Sequence, residues 1–249
     1  MLSSLNHLTQ FQSATHFFFP QGYTHDSVEQ DDYRESGEIV GILGMQSENL
    51  RKLVVDGVHV GDMPVRIFGW LTDLEICIPE YSDLTGLNLI FHHAPGLKSL
   101  SLVGYLTSDI FPTLQQHSSA LLHLTSFRLA SEAQSMPTIT EGQLYSISEF
   151  LKGRPSLRRL YLRLSAADWA VVSTMLPTIS QMQGLKVLGF HAGNRYLTRE
   201  AVVHLADHLS VKLEALHLSI FWSLPDLTSP NVLLLYPLVS QISNVLVYY

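Results

Sequence analysis

Cysteine, charge and long apolar runs are all scarce in this chain. The 249 residues include one cysteine, Cys77, so no disulfide can form within the chain. A lone thiol is typical of a reducing compartment, although secreted proteins that need no disulfide also have one. No apolar run reaches the roughly 18 residues that a membrane-spanning helix requires. Segment 1–8 lacks the basic region and apolar core of a signal peptide. We therefore expect an intracellular protein, cytoplasmic or nuclear, with no membrane partner.

Basic charge is especially sparse. The chain has 15 Lys and Arg residues against 22 Asp and Glu residues, which gives a net charge of −7. Proteins that bind nucleic acid non-specifically usually carry clustered Lys and Arg on a basic domain. The composition therefore predicts no nucleic-acid partner.

Recognisable catalytic and cofactor motifs are also missing. The glycines of Gly41–Gly44 lack the lysine that a phosphate-binding loop needs, and no nucleophile elbow occurs. His204 and His208 have the helical spacing of a zinc site, but Leu205 stands where a metalloprotease helix carries its glutamate. The adjacent His92-His93 pair diverges by roughly 100° on a helix. We predict no catalytic residue, no metal and no cofactor, with these histidines serving structure or surface.

What the chain does contain is a recurring apolar frame, L-x-x-L-x-L. It is clearest in the segment 155–164, where Leu157, Leu160 and Leu162 form the frame. Successive frames begin 21, 26, 27, 33, 28 and 28 residues apart. Such periodicity is the mark of a solenoid, and this frame is typical of leucine-rich repeats. The seven frames begin at Leu50, Leu71, Leu97, Leu124, Leu157, Leu185 and Leu213.

The frame also predicts the geometry of each repeat. Its second and third apolar residues alternate with polar ones, as on a short strand with one buried face. The remaining length accommodates a helix, and parallel neighbouring strands need such a long crossover. We therefore predict an α/β fold, a right-handed leucine-rich-repeat solenoid with a curved parallel sheet inside and helices outside. One repeat cannot bury its own leucines, so residues 1–249 should form a single domain.

Both ends of the chain depart from the regular frame. Residues 2–13 resemble a degenerate first repeat, and Phe17–Pro20 is an alternative lid over the exposed core. The acidic segment 21–38 predicts a mobile loop, read either as a solvated insertion or as an acidic contact segment. The final residues 244–249 predict one more inner strand.

Helix start signals mark several outer segments. Thr140 and Thr198 each precede an apolar stripe and should cap a helix, as should Ser229 before Pro230. A further helix is predicted over 36–49. Pro112, Pro177 and Pro237 interrupt helical stretches and predict kinks or short paired helices.

The polar positions of the strand frames should form one continuous concave surface. Acidic residues gather on the early strands, whereas arginines and a tyrosine gather in the middle. Arginine and tyrosine are common in the energetic centres of interfaces, and guanidinium groups suit carboxylate or phosphate. Solvated strand positions are the alternative interpretation. The predicted partner contacts are Arg128, Arg159, Tyr161, Arg163, His191 and His217.

The frames and their helical outer halves resemble the ribonuclease-inhibitor-like class of leucine-rich repeats. Residues 155–162 and their relatives at 95–102 and 183–190 are similar to the repeat region of F-box proteins, especially fungal ones. The resemblance covers about residues 50 to 249. It departs at two points, because the asparagine that often follows the strand is absent and no F-box is recognisable. Other groups must therefore stabilise the turns.

These observations favour a non-catalytic protein-interaction module. The resemblance implies the substrate-recognition part of an F-box-type ubiquitin ligase adaptor, which would meet the ligase scaffold only if an F-box is supplied elsewhere. Two alternatives stay open. One is an enzyme whose site assembles in three dimensions, for example from His191 and His217, and the other is a truncated gene product without independent function.

Overall fold

The computed structural model describes most of the repeat region and short pieces at either end. The described residues are 16–18, 48, 50–79, 84, 86–106, 109–131, 139–164, 168–196, 198–209, 212–221 and 244–248. The degenerate frame at 2–13, the acidic segment 21–38 and the Ser229-Pro230 cap lie outside them, and so does almost all of the helix predicted over 36–49.

One open parallel sheet organises the described residues. Its nine strands lie side by side in chain order, and every neighbouring pair is parallel. The chain is thus an α/β protein with a repeat-like architecture that is compatible with a solenoid. The strands are β1 His16–Phe18, β2 Lys52–Asp56, β3 Asp73–Ile78, β4 Ser99–Gly104, β5 Ser126–Ser131, β6 Arg159–Arg163, β7 Val187–Tyr196, β8 Ala215–Phe221 and β9 Asn244–Tyr248.

The second apolar residue of every frame occupies the same register position. Leu53 pairs with Leu74, and each following strand continues the row without a slip. All members of this row on β2 to β8 are at most 2% exposed. A shift of one residue would turn the whole row toward solvent, so burial on one face fixes the register. The row comprises Leu53, Leu74, Leu100, Phe127, Leu160, Leu188 and Leu216.

The two ends of the sheet follow the same register. Phe17 pairs with Leu53, so His16–Phe18 is an added strand, while the rest of the lid predicted at Phe17–Pro20 lies outside the described residues. In a strand, the backbone N–H and C=O groups form hydrogen bonds with β2, whereas those of a folded-back lid would need other partners. At the other end, β9 pairs with β8 as the sequence predicts.

Helices cover the apolar face of the sheet between strands. Phe127 on β5 lies 5.1 Å from the Phe150 ring of a helix, centroid to centroid, which places that helix against the row. No helix within the described residues is both long and apolar enough to traverse a bilayer. The helices are α1 Leu87–His93, α2 Ile110–Gln116, α3 Glu141–Lys152, α4 Trp169–Val172, α5 Leu176–Gln181 and α6 Arg199–His208.

Local sequence explains where the longer helices begin. Thr140 accepts a hydrogen bond from the Gln143 amide, and the Gln143 side chain accepts from the Thr140 amide, a complete capping box. Thr198 accepts from the Ala201 amide and caps α6, as predicted. Around Pro177 the chain forms α4, a single 3₁₀ turn and α5, which confirms the prediction of short paired helices.

The early repeats differ from the expected strand-and-helix unit. The shortest interval, 21 residues from Leu50 to Leu71, contains two 3₁₀ helices, Gly57–Asp62 and Val65–Trp70. A 3₁₀ helix rises about 2.0 Å per residue, against 1.5 Å for an α-helix. It therefore connects the end of β2 to the start of β3 with fewer residues. The sequence predicts a helix for most of the intervals, and this shortest interval has two 3₁₀ helices in its place.

Backbone hydrogen bonds join the repeats just before each strand. The Arg51 carbonyl accepts from the amides of Thr72 and Asp73 in the next repeat. In the same way, the Thr72 carbonyl accepts from the amides of Lys98 and Ser99 before β4. The last such carbonyl, that of Lys186, accepts from the amides of Glu214 and Ala215 before β8. At the other end of the strand, Gly104 adopts φ +125°, which glycine tolerates. Backbone groups thus join successive repeats without the missing asparagine.

A buried arginine joins two neighbouring repeats on the helical side. Arg154 is 2% exposed and donates to the carbonyls of Ser118 at 3.2 Å, His117 at 3.3 Å and Ala120 at 2.7 Å. These carbonyls follow the C-terminus of α2, where a cation is favourable. The guanidinium carbon lies 3.2 Å from the Phe150 ring centroid. Burial lowers the pKa of Arg154 to about 9.

Candidate functional site

The polar face of the sheet places four of the six predicted contact residues on two neighbouring strands. Arg128 lies on β5, whereas Arg159, Tyr161 and Arg163 lie on β6. Arg128 is the register partner of Tyr161, and that row continues through Gly189 to His217. The sheet therefore brings these residues into one patch.

Aromatic and cationic side chains connect along this row. The Arg128 guanidinium carbon lies 5.4 Å from the Tyr161 ring centroid, within the range of a cation–π contact. The Tyr161 and His217 ring centroids are 5.7 Å apart, although β7 separates their strands. Gly189 makes this contact possible, since a Cβ there would overlap the Tyr161 ring. The glycine therefore gives the tyrosine room to lie across β7.

The row also extends toward the acidic strands. Glu75 on β3 and Arg128 on β5 form an ion pair across β4, with Oε2 and Nη1 3.9 Å apart. Their side chains are 37% and 47% exposed. Sequence reasoning placed Glu75 on the polar face but not among the contact residues, because a whole strand, β4, separates it from Arg128. We call this register row the central row, and it comprises Glu75, Ser101, Arg128, Tyr161, Gly189 and His217.

Ser101 lies on β4, in register between Glu75 and Arg128. The residue is 8% exposed, and its hydroxyl has no hydrogen-bond partner within the described residues. A buried hydroxyl without a partner is uncommon, because its lost hydration is not replaced. The sequence offered no signal for it, since many strand positions hold serine.

Two arginines, Arg159 and Arg163, flank Tyr161 on β6. Arg159 and Arg163 are exposed, and neither forms an ion pair with another described residue. They lie four positions apart along β6, which corresponds to about 13 Å. Arg159 is aligned with Ser126 and Val187, neither of which is charged. Their positive charge is therefore available to a partner.

The two predicted histidines differ in access. His191 on β7 is 9% exposed, so it offers little surface, whereas His217 is half-buried at the end of the central row. Burial lowers the pKa of His191, and the nearby charge of Arg163 lowers it further. Their strands are adjacent, but the register pairs His191 with Ser219 and His217 with Gly189. The two histidines are thus offset by two positions.

The other two histidine pairs, His204 with His208 and His92 with His93, make ring contacts. The His204 and His208 rings are 4.4 Å apart on α6, and His204 also contacts the Trp169 ring edge-on at 6.4 Å. The His92 and His93 rings are 6.3 Å apart. Within the described part of the chain, no three His, Cys, Asp or Glu side chains are grouped closely enough to hold a metal ion.

Comparison with known proteins adds little. Neither a protein-family model nor a curated protein sequence matches the chain. Among solved structures, the chain is similar to a structural-genomics protein from Bacteroides fragilis, with 14% identity and a TM-score of 0.34. The alignment covers 72% of this chain and 66% of that one. A likeness this loose supports no argument about function.

Proposed function

We propose that this protein is a non-catalytic interaction module of the leucine-rich-repeat class, whose strands and outer segments form a right-handed solenoid with a concave sheet. Parallel strands linked by crossovers are almost always right-handed, which supports the proposed hand. The proposed binding surface is the polar face of the sheet, centred on β5 and β6.

The central row carries this proposal. Side chains from β3, β5, β6 and β8 contact one another in series, so the face presents one connected surface instead of isolated solvated residues. Such contacts restrict side-chain motion before binding, and preorganisation lowers the entropic cost of association. Arg159 and Arg163 beside the row form no ion pair within the described part of the chain and supply charge for recognition.

The resemblance to F-box proteins extends the proposal to a cellular role. In that role the polar face holds a target for ubiquitylation, and an F-box supplied elsewhere contacts the ligase scaffold. Recovery of a scaffold subunit together with a captured target would support this role over a general interaction module.

Affinity capture from the source organism tests the proposed surface. We expect the double variant Arg159→Glu/Arg163→Glu to lose the partner with an unchanged thermal melt, because both side chains are exposed. A matched control, Arg66→Glu/Lys98→Glu, changes the net charge equally at exposed positions outside the strands. Partner capture should survive in the control. Equal capture by both double variants would move the binding surface away from β6.

A further inference from the structure

We propose that the central row is an anion-exchange site. In the free protein the Glu75 carboxylate pairs with the Arg128 guanidinium. In the complex an acidic side chain of the partner replaces Glu75 as the ion-pair partner of Arg128. The inference rests on the proposed function, because it names the class of segment, an acidic peptide, that the same face receives.

The Glu75–Arg128 pair has the geometry of an exchangeable contact. Its atoms are 3.9 Å apart, whereas charge-assisted hydrogen bonds between nitrogen and oxygen are about 2.7–2.9 Å long. The pair is thus an ion pair without a hydrogen bond, and both side chains are partly exposed to screening by salt. A partner carboxylate that meets the guanidinium in fork geometry makes hydrogen bonds that Glu75 does not make.

The Ser101 hydroxyl supplies a second contact for the incoming anion. It lies on the strand between the two charged residues and has no partner within the described residues. A serine hydroxyl can donate one hydrogen bond, and a carboxylate only accepts. In the proposed complex, the partner anion replaces Glu75 beside Arg128 and accepts a hydrogen bond from this hydroxyl. The buried hydroxyl, for which the described residues provide no partner, is then satisfied in the complex.

The surrounding charge selects an acidic segment. Arg159 and Arg163 flank Tyr161 about 13 Å apart, close to the span of five extended residues. The whole chain carries a net charge of −7, which repels acidic ligands at long range. At about 0.15 M salt the Debye length is about 8 Å, so distant acids are screened while the three nearby arginines still act. An extended segment with acidic side chains on one face matches this arrangement.

Fluorescence anisotropy with defined peptides tests the exchange. The probe is a fluorescein-labelled peptide of alternating glutamate and glycine, and its glutamine counterpart is the neutral control. We expect the wild-type protein to bind only the glutamate peptide at about 0.15 M salt. Glu75→Gln should tighten this binding about threefold by removing the competing carboxylate, within the range of an exposed ion pair. A gain of affinity cannot arise from partial unfolding.

Three further variants separate local exchange from a general charge effect. Ser101→Ala should weaken binding about threefold, and Arg128→Gln should weaken it at least about tenfold. Glu149→Gln removes the same charge from α3, where Glu149 pairs with Lys152, and should leave binding unchanged. A peptide with phosphoserine in place of glutamate distinguishes phosphate from carboxylate as the preferred anion.

The outcomes that overturn the inference differ from those that overturn the proposed function. If Glu149→Gln tightens binding as much as Glu75→Gln, overall charge explains the effect and the exchange is wrong. If Arg159→Glu/Arg163→Glu loses the partner while Glu75→Gln and Ser101→Ala change nothing, the surface stands without the exchange. If neither anionic peptide binds the wild type, the acidic partner class is wrong, and the capture experiment still decides the surface.

Discussion

Replacement of Arg154 by methionine should destabilise the protein strongly, although the residue contacts no predicted ligand. The buried guanidinium donates to three backbone carbonyls that follow α2, on residues that are themselves half-buried. A hydrogen bond to a charged group contributes about 1.5–3 kcal/mol, and removing the arginine also removes its own desolvation penalty, which offsets part of the loss. We therefore expect a net loss of about 3 kcal/mol in the free energy of unfolding.

Methionine is the appropriate replacement because its chain is long and apolar. It retains much of the packing against the Phe150 ring, so the measured loss reports mainly the hydrogen bonds. Lysine keeps a cation at the C-terminal end of α2 but cannot reproduce the planar fork, so Arg154→Lys should lose about half as much. The sequence alone did not mark this arginine, because the carbonyls that it binds belong to the preceding repeat.

Urea unfolding followed by circular dichroism measures these losses. Lys152→Met is the matched control, since Lys152 is an exposed residue at the end of α3, two positions before Arg154. It forms an exposed ion pair with Glu149, worth about 0–1 kcal/mol, and lies over the Tyr145 ring. Its midpoint should stay close to that of the wild type. An Arg154→Met midpoint as high as the control would refute the role assigned to the three carbonyl contacts.

Two further predictions concern the sheet. Leu160→Asp buries a charge at a position that is 1% exposed and should cost at least about 4 kcal/mol, while Arg159→Asp on the opposite face should change the urea midpoint little. Similar midpoints would contradict the alternation of faces. The pKa of His191 lies below the ordinary value of 6.5, so the unfolded chain takes up a proton first and stability is lost as the pH falls below about 6.5. Between about pH 7 and pH 5, the melting temperature of His191→Gln should fall less than that of the wild type. An equal fall in both proteins would exclude His191 as a cause of the pH dependence.

The fold was largely predictable because its signals are local. A strand exposes alternate residues on opposite faces, so Leu160 and Leu162 within one frame already identify the buried face. The caps at Thr140 and Thr198 are equally local, since each hydrogen bond spans three residues. The early 3₁₀ helices were not predicted, because the frame fixes the strand and leaves the path of the return segment open.

The candidate site was predictable only in part. Alternation assigned Arg128, Arg159, Tyr161 and Arg163 to one face, and the register brings them together. The contact between Arg128 and Glu75 was missed because it joins side chains that are 53 positions apart in the chain and two strands apart in the sheet. The burial of His191 was missed because alternation assigns a face to a residue but not its depth.

The sequence by itself determined the repeating frame, the face on which each strand residue lies and the caps of the longer helices. These features depend on residues within about one helical turn or one strand, where spacing alone fixes geometry. Tertiary structure decided which side chains reach across strands, which polar groups lose water and which carbonyls Arg154 satisfies. Those outcomes depend on distances between repeats, and no spacing along the chain encodes them.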